Sequence, residues 1–131
     1  MNNYFVILAA GKGSRFAKKL PKQYHIYKGK ELIQHSIEKG LKSKLFKKII
    51  VVTDSIKKIS NIGIPKNIKI IKGGKERHLS SLLALKYLQK LKPSNVLIHD
   101  AARPDFSIKL LKKIIIKLKN KKAVIPTLFS N

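Results

Sequence analysis

Short apolar runs recur along the chain, and polar residues or glycine follow most of them. The first four runs cover residues 4–9, 48–53, 68–71 and 95–98. Continuous apolar runs of this length are typical of strands that are buried on both faces of a parallel sheet. A later run, residues 122–126, predicts the start of a fifth strand.

Between these runs, apolar residues recur every three or four positions, which is the spacing of an amphipathic helix. Helices are predicted over residues 31–41 and 76–91. A third helix is marked by Ile108, Leu111, Ile115 and Leu118. We expect the helix over residues 76–91 to bury one stripe against the sheet, formed by Leu79, Leu82, Leu83, Tyr87 and Leu91.

The alternation of strands and helices predicts an α/β fold, with a mostly parallel, Rossmann-like sheet flanked by helices. No internal repeat or linker-like stretch divides the sequence, so residues 1–131 are expected to form one domain. Ligands of such sheets bind beyond the carboxyl ends of the strands. Functional residues are therefore expected in the loops that follow the strands.

The composition favours a globular protein, because 44% of the 131 residues are hydrophobic. The absence of cysteine excludes disulfide bonds and thiolate metal sites. No apolar run reaches the roughly 18 residues that a membrane span needs, and the N-terminus lacks the regions of a signal peptide. We therefore expect a cytoplasmic protein that makes no membrane contact.

The formal net charge of +24 suggests nucleic acid as a partner, but the distribution of the charge argues against a dedicated site. The lysines are scattered over every segment instead of forming one stripe. Aromatic residues make up 7% of the chain and do not alternate with basic residues as a stacking platform requires. Nucleic acid is therefore expected to bind only non-specifically, at low salt.

The three arginines mark the candidate site more sharply than the lysines do. Arg15, Arg77 and Arg103 each lie in a loop that contains glycine or alanine and follows a predicted strand. The planar guanidinium suits bidentate recognition of phosphate or carboxylate, whereas the lysine ammonium acts as a point charge. Since the three loops share the carboxyl edge of the predicted sheet, they predict one polyanion site.

The first of these loops, residues 9–15, reads Ala-Ala-Gly-Lys-Gly-Ser-Arg. Gly11 and Gly13 allow backbone N–H groups to turn toward an anion. The third glycine of the dinucleotide fingerprint is absent, and no Gly-Lys-Ser/Thr of a P-loop follows. Lys12, Arg15 and the nearby Lys22 are expected to neutralise phosphate oxygens, which indicates a phosphate loop of another kind.

Four motifs together resemble those of the 2-C-methyl-D-erythritol 4-phosphate cytidylyltransferases. They are Ala-Ala-Gly-x-Gly-x-Arg at residues 9–15, Pro-Lys-Gln-Tyr at 21–24, Gly-x-Glu-Arg-x-x-Ser at 74–80 and His-Asp-Ala-Ala-Arg-Pro at 99–104. The resemblance runs from about residue 4 to residue 126. It implies the nucleotidyltransferase fold and the transfer of a cytidylyl group from CTP to a polyol phosphate, in the non-mevalonate pathway to isoprenoid precursors.

The resemblance also implies a role for each matching position. Arg15 and Lys22 would be catalytic, clamping the triphosphate and stabilising the transition state. The nucleotide would be bound by Ala9, Ala10, Gly11, Gly13, Gly74, Ser80, Asp100 and Ala101. Arg103 would hold the phosphate of the acceptor substrate, and Asp100 would also bind the metal cofactor, Mg²⁺.

Two neighbours of these residues are expected to be structural. Glu76 and Arg77 would form an ion pair at the start of a helix. His99 would orient its loop and not act as an acid or base.

Members of this family continue beyond the point where this chain stops, so the sequence resembles their CTP-binding portion, truncated at the C-terminus. The full-length form would be a homodimer. Two alternatives stay open: a cytidylyltransferase for another polyol phosphate, such as ribitol 5-phosphate, and a non-catalytic basic module that binds nucleotides or RNA. A cytidylyltransferase should prefer CTP to UTP and ATP.

Overall fold

Six strands and four helices make up the computed structural model, which describes residues 2–9, 24–63, 65, 68–73, 76–101, 103 and 105–118. In chain order they are β1 (Asn3–Ala9), β2 (Ile26–Tyr27), β3 (Lys30–Glu31), α1 (Leu32–Ser43), β4 (Lys48–Thr53), α2 (Ile56–Asn61), β5 (Ile68–Lys72), α3 (Arg77–Gln89), β6 (Asn95–Asp100) and α4 (Ile108–Leu118). The four predicted strands between residues 4 and 98 are confirmed. The strand predicted at residues 122–126 lies outside the described residues.

The central sheet has four parallel strands in the order β5-β4-β1-β6. All seven residues of β1 are buried, because β1 has a strand on each side and helices on both faces. After Asn3 its sequence is correspondingly apolar, as expected for a strand with no solvent-facing side. The predicted α/β class with a parallel sheet is confirmed.

Side chains of β1 alternate between two hydrophobic layers. Phe5 and Ile7 point into the layer that also contains the buried residues of α1 and α4. Val6 and Leu8 point into the opposite layer, which is completed by α3. The helices therefore cover both faces of the sheet, and the loops extend from the ends of the strands.

Gly40 of α1 is needed for close packing of that helix on the sheet. A Cβ atom at this position would lie 2.8 Å from Cδ2 of Phe5 and 3.0 Å from Cδ1 of Ile49. Both contacts are closer than carbon atoms tolerate, so any larger residue would push α1 away from β1 and β4.

The buried stripe of α3 differs in part from the predicted one. Tyr87 and Leu91 are partly buried against the sheet, as predicted. Leu79, Leu82 and Leu83 are 40%, 54% and 39% exposed, whereas Ala84 and Leu88 are buried against the sheet. Leucines occur around most of this helix, so their spacing did not determine which face packs. The small side chains of Ser80 and Ala84, four residues apart, allow the helix to approach the strands closely, and the leucines are displaced to the outer side.

Two elements were not predicted from the sequence, namely the β2–β3 hairpin and the short helix α2. The hairpin turns at Lys28 and Gly29, whose φ angles of +49° and +79° fit a two-residue turn with both central residues in the left-handed region. Its strands have two residues each, which is too few to show an alternating pattern. The helix α2 has six residues and one buried side chain, Ile59.

Helices long and apolar enough to cross a bilayer are absent from the part of the chain that the structure describes.

A buried and an exposed leucine of α3 should differ in how much stability is lost when each is replaced by alanine. Leu88→Ala should lower the free energy of unfolding by about 2–5 kcal/mol, because the side chain is 1% exposed and its removal leaves a cavity. Leu82→Ala should change it by no more than about 0.5 kcal/mol, because that side chain is 54% exposed. Urea denaturation of both variants measures the difference, and equal losses would show that the face of α3 is wrongly assigned.

Candidate functional site

The candidate site is built where the carboxyl ends of β1 and β6 lie side by side. Leu8 pairs with Asp100 in the parallel register, and the backbone N–H of Ala101 donates to the carbonyl of Leu8 at 2.9 Å. The next strand of the central sheet along the chain, β4, pairs with one side of β1, whereas β6 pairs with the other side. Such a reversal of strand order opens a crevice that is the usual ligand site of a parallel α/β sheet.

The turn after β6 brings two of the predicted residues to this crevice. The backbone N–H of Arg103 donates to the carbonyl of Asp100 at 3.1 Å, which closes the turn. Ala101 is fully buried, while the side chains of Asp100 and Arg103 are half-buried. A carboxylate and a guanidinium are therefore held at the same strand end, and both keep access to solvent.

His99 fixes the position of this turn from inside the protein. Its ring is fully buried, and its Nε2 lies 3.1 Å from the hydroxyl oxygen of Ser36 on α1. The ring also packs edge-on against Phe106 at 4.5 Å between centroids and stacks with Phe5 at 5.9 Å. These contacts are those of a structural histidine, and they tie the end of β6 to α1 and to the segment before α4.

The loop after β5 lies at the same edge of the sheet. The backbone N–H of Gly73 donates to the carbonyl of Thr53 at 2.7 Å, which joins this loop to the end of β4. Helix α3 then begins at Arg77, and Ser80 lies in its first turn with 1% of its surface exposed. The helix start and its predicted serine thus face the sheet beside the crevice.

Glu76 contacts a residue that the sequence analysis did not single out. Its carboxylate lies 3.2 Å from Nδ1 of the neighbouring His78, and both side chains are exposed. The side chain of Arg77, its expected partner, lies outside the described part of the chain. An exposed contact of this kind contributes little stability.

A polar group at the end of β4 was given no role from the sequence, although Tyr24 belongs to the Pro-Lys-Gln-Tyr motif. The hydroxyl of Tyr24 lies 3.3 Å from Oγ1 of Thr53 in a buried position. Burial raises the pKa of Tyr24, and the nearby carboxylates of Asp54 and Glu31 raise it further, although the hydrogen bond to Thr53 lowers it. The phenol therefore stays protonated at neutral pH. It donates to Thr53, because the Thr53 hydroxyl itself donates to the carbonyl of Ser55.

Asp54 belongs to the same group, because it follows Thr53 directly at the strand end. Its Oδ1 is buried, and no described residue donates a hydrogen bond to it. Since β4 lies between β1 and β5, this carboxylate lies between the two loops predicted to bind the nucleotide. An aspartate immediately after a buried strand is the signal that could have identified it.

The structure thus brings together the ends of the strands that carry the predicted site, and it describes Ala9, Ser80, Asp100, Ala101 and Arg103. The other predicted residues lie outside the described part of the chain: Ala10, Gly11, Gly13, Arg15, Lys22 and Gly74. Within the described ranges, no group of three or more histidine, aspartate or glutamate side chains is arranged to hold a metal ion.

Comparisons with known proteins agree with this arrangement. The family model described as 2-C-methyl-D-erythritol 4-phosphate cytidylyltransferase matches residues 4–129. The bifunctional enzyme IspD/IspF of Pelagibacter ubique is 47% identical over 130 residues, covering 98% of this chain and 35% of that protein. The 2-C-methyl-D-erythritol 4-phosphate cytidylyltransferase of Thermosipho melanesiensis is 46% identical over 108 residues, covering 78% of this chain and 48% of that protein.

A solved structure gives the same result for the fold. The Francisella tularensis 2-C-methyl-D-erythritol 4-phosphate cytidylyltransferase superposes with a TM-score of 0.74 at 30% identity, covering 92% of this chain and 54% of that one. The predicted nucleotidyltransferase fold is confirmed. The chain spans about a third to a half of the length of these relatives.

The buried contact between Ser36 and His99 predicts a measurable loss of stability when it is removed. Ser36→Ala should lower the free energy of unfolding by about 1–3 kcal/mol, because a buried imidazole nitrogen loses its partner. Ser60→Ala removes the same hydroxyl from an exposed position on α2 and should change it by no more than about 0.5 kcal/mol. Urea denaturation distinguishes the two, and equal stabilities would mean that the contact is not formed.

Proposed function

The chain belongs to the 2-C-methyl-D-erythritol 4-phosphate cytidylyltransferase family, and we propose that it forms the CTP-binding portion of such an enzyme. The reaction joins CTP and 2-C-methyl-D-erythritol 4-phosphate to give 4-diphosphocytidyl-2-C-methyl-D-erythritol and pyrophosphate. It supplies isoprenoid precursors in the non-mevalonate pathway. Residues 1–131 are the nucleotide-binding domain in this proposal, and the rest of the acceptor site comes from a longer form of the protein.

The observation that carries the proposal is the juxtaposition of Ala9 with Asp100 and Ala101. Ala9 begins the glycine loop, and the other two residues begin the motif after β6. Their strands are neighbours in register, so both motifs meet at the crevice where the strand order reverses. A chance occurrence of the motifs would not require them to share one strand boundary.

In the proposed reaction, a phosphate oxygen of the acceptor attacks the α-phosphorus of CTP, and the bond to the β-phosphate oxygen breaks. Pyrophosphate leaves with the electrons of that bond. Positioning and charge stabilisation are the main requirements of such a transfer. Arg15 and Lys22 supply positive charge to the crowded phosphate, and the backbone N–H groups of Gly11 and Gly13 bind its oxygens.

Asp100 is the residue proposed to hold magnesium. Magnesium in nucleotidyl transfer typically takes one or two carboxylates together with substrate phosphates, and a half-exposed carboxylate at a strand end fits that requirement. When bound, the ion neutralises phosphate charge and orients the triphosphate. Asp100 itself is held in place by the turn to Arg103 and by the buried ring of His99.

Base and acceptor are proposed to bind on opposite sides of the triphosphate. Ser80, with the backbone of Ala9, Ala10 and Gly74, reads the cytosine edge. Hydrogen bonds to a base edge discriminate most strongly where water is excluded. Arg103 binds the acceptor phosphate with its guanidinium fork. The longer form is proposed to be a cytoplasmic homodimer.

The proposal predicts selective binding of CTP that depends on Arg15. In isothermal titration calorimetry with Mg²⁺ at moderate salt, the protein should bind CTP more tightly than UTP or ATP. Arg15→Ala should weaken CTP binding about ten- to a hundredfold, because a charged hydrogen bond to phosphate is worth about 1.5–3 kcal/mol. Lys112→Ala removes one positive charge from the exposed surface of α4 and should change the affinity less than about twofold.

Equal binding of the three nucleotides, falling steeply with salt and indifferent to Arg15, would refute the proposal. It would instead indicate a basic module that binds any polyanion. Selective CTP binding with turnover of ribitol 5-phosphate by the longer form would retain the nucleotide half of the proposal and reassign the acceptor.

A further inference from the structure

Two lysines at the amino end of the sheet point toward one tyrosine. Lys48 begins β4, and its Nζ donates to the hydroxyl oxygen of Tyr87 on α3 at 3.0 Å. Lys69, near the start of β5, has its Nζ 5.4 Å from the centroid of the same ring. Both lysines lie on the face of the sheet that α3 covers; Lys48 is half-buried there, whereas Lys69 is exposed.

The last turn of α3 adds further lysines around this ring. Lys86 and Lys90 are exposed, and with Tyr87 and Gln89 they line an open cavity of about 440 Å³. We use the term Tyr87 cluster for Lys48, Lys69, Lys86 and Lys90 together with Tyr87. The cavity lies at the end of the sheet opposite to the crevice between β1 and β6, because all four strands are parallel.

None of the six acidic residues of the chain lies next to this cluster in sequence or on its elements. They are Glu31, Glu38, Asp54, Glu76, Asp100 and Asp105. Two belong to α1 or its start, on the other face of the sheet. The remaining four lie at the carboxyl ends of strands or in the segments that follow them. The cluster therefore gathers four positive charges at one end of the sheet, away from the carboxylates of the chain.

The C-terminus of α3 explains the position of only two of these four lysines. The carbonyl groups at the C-terminus of α3 favour nearby cations, which explains Lys86 and Lys90. Lys48 and Lys69 come from the strands, and the face of the tyrosine ring offsets their mutual repulsion only in part. Lys86 and Lys90 line the cavity, and Lys48 and Lys69 contact Tyr87, which lines it too. An anion with several oxygen acceptors that is bound in the cavity would therefore lie next to lysines of the helix and of the strands.

We propose that the Tyr87 cluster is a second anion site, which binds an oligophosphate group at the end of the domain opposite to the candidate CTP site. The ammonium groups donate charge-assisted hydrogen bonds to the phosphate oxygens. The cavity volume admits a di- or triphosphate chain, and the open side leaves room for whatever the chain is attached to. This site is independent of the proposed catalytic function.

The test uses inorganic tripolyphosphate as the probe and Arg15→Ala as the background, so that the candidate CTP site contributes little. In that background, Lys48→Gln/Lys69→Gln should weaken tripolyphosphate binding about tenfold at 150 mM salt, as measured by calorimetry. Lys112→Gln/Lys113→Gln removes the same charge from the exposed surface of α4 and should weaken it less than about twofold. A thermal melt of each variant checks that the fold is retained.

If the first variant does not fold, Lys86→Gln/Lys90→Gln replaces it, because these exposed side chains line the same cavity. Equal weakening by the cluster variant and the α4 variant would overturn the proposal, since net charge alone would then account for binding. So would the absence of saturable binding in the Arg15→Ala protein. A single-stranded RNA oligonucleotide is titrated in parallel, and a loss confined to RNA would also overturn the oligophosphate assignment.

Discussion

The pairing of β1 with β6 is the contact on which the candidate site depends. β1 is buried along its whole length, so the hydrophobic effect fixes its position at the centre of the sheet. Once β6 pairs with it in register, Asp100 and Ala101 must lie beside the start of the glycine loop. The hydrogen bond from Ala101 to Leu8 extends the pairing by one residue beyond the strand. Burial of apolar side chains thus sets the geometry of a polar site.

Charge is divided between the two ends of this sheet. The carboxyl end holds Asp54 and Asp100 at strand ends, together with the loops that contain the three arginines. The amino end of the α3 face holds Lys48 and Lys69, whose Nζ atoms lie 5.7 and 5.4 Å from the centroid of the Tyr87 ring. Parallel strands make this separation possible, because they gather all their starts at one edge and all their ends at the other. One sheet can therefore present two anion sites that differ in their acidic neighbours.

The sequence predicted the four strands of the central sheet well, because each is a short run of mostly apolar residues. It predicted Asp100 and Arg103 through their motif and their place after a strand. It failed for the buried face of α3, where leucines on several sides made the spacing uninformative and the small residues Ser80 and Ala84 determined the packing. The contact between Ser36 and His99 could not be predicted from the sequence either, because the two residues are 63 positions apart and no sequence pattern links them.

Tyr24 and Asp54 were missed for a related reason. Each is one polar residue at the edge of an apolar element, and only the fold brings Tyr24 beside Thr53. Burial of one hydroxyl is not visible in a linear pattern. Residues that act through burial are therefore the least predictable part of such a site.

The position of β6 affects how readily this part of the candidate site opens. Among the described strands, β6 has a single neighbour, whereas β1 has two. Backbone amides of a strand held from one side open with a smaller free energy than global unfolding requires, so they exchange with deuterium sooner than those of β1. Because β6 carries Asp100, exchange at the amides of this strand reports on the position of that carboxylate separately from the centre of the sheet.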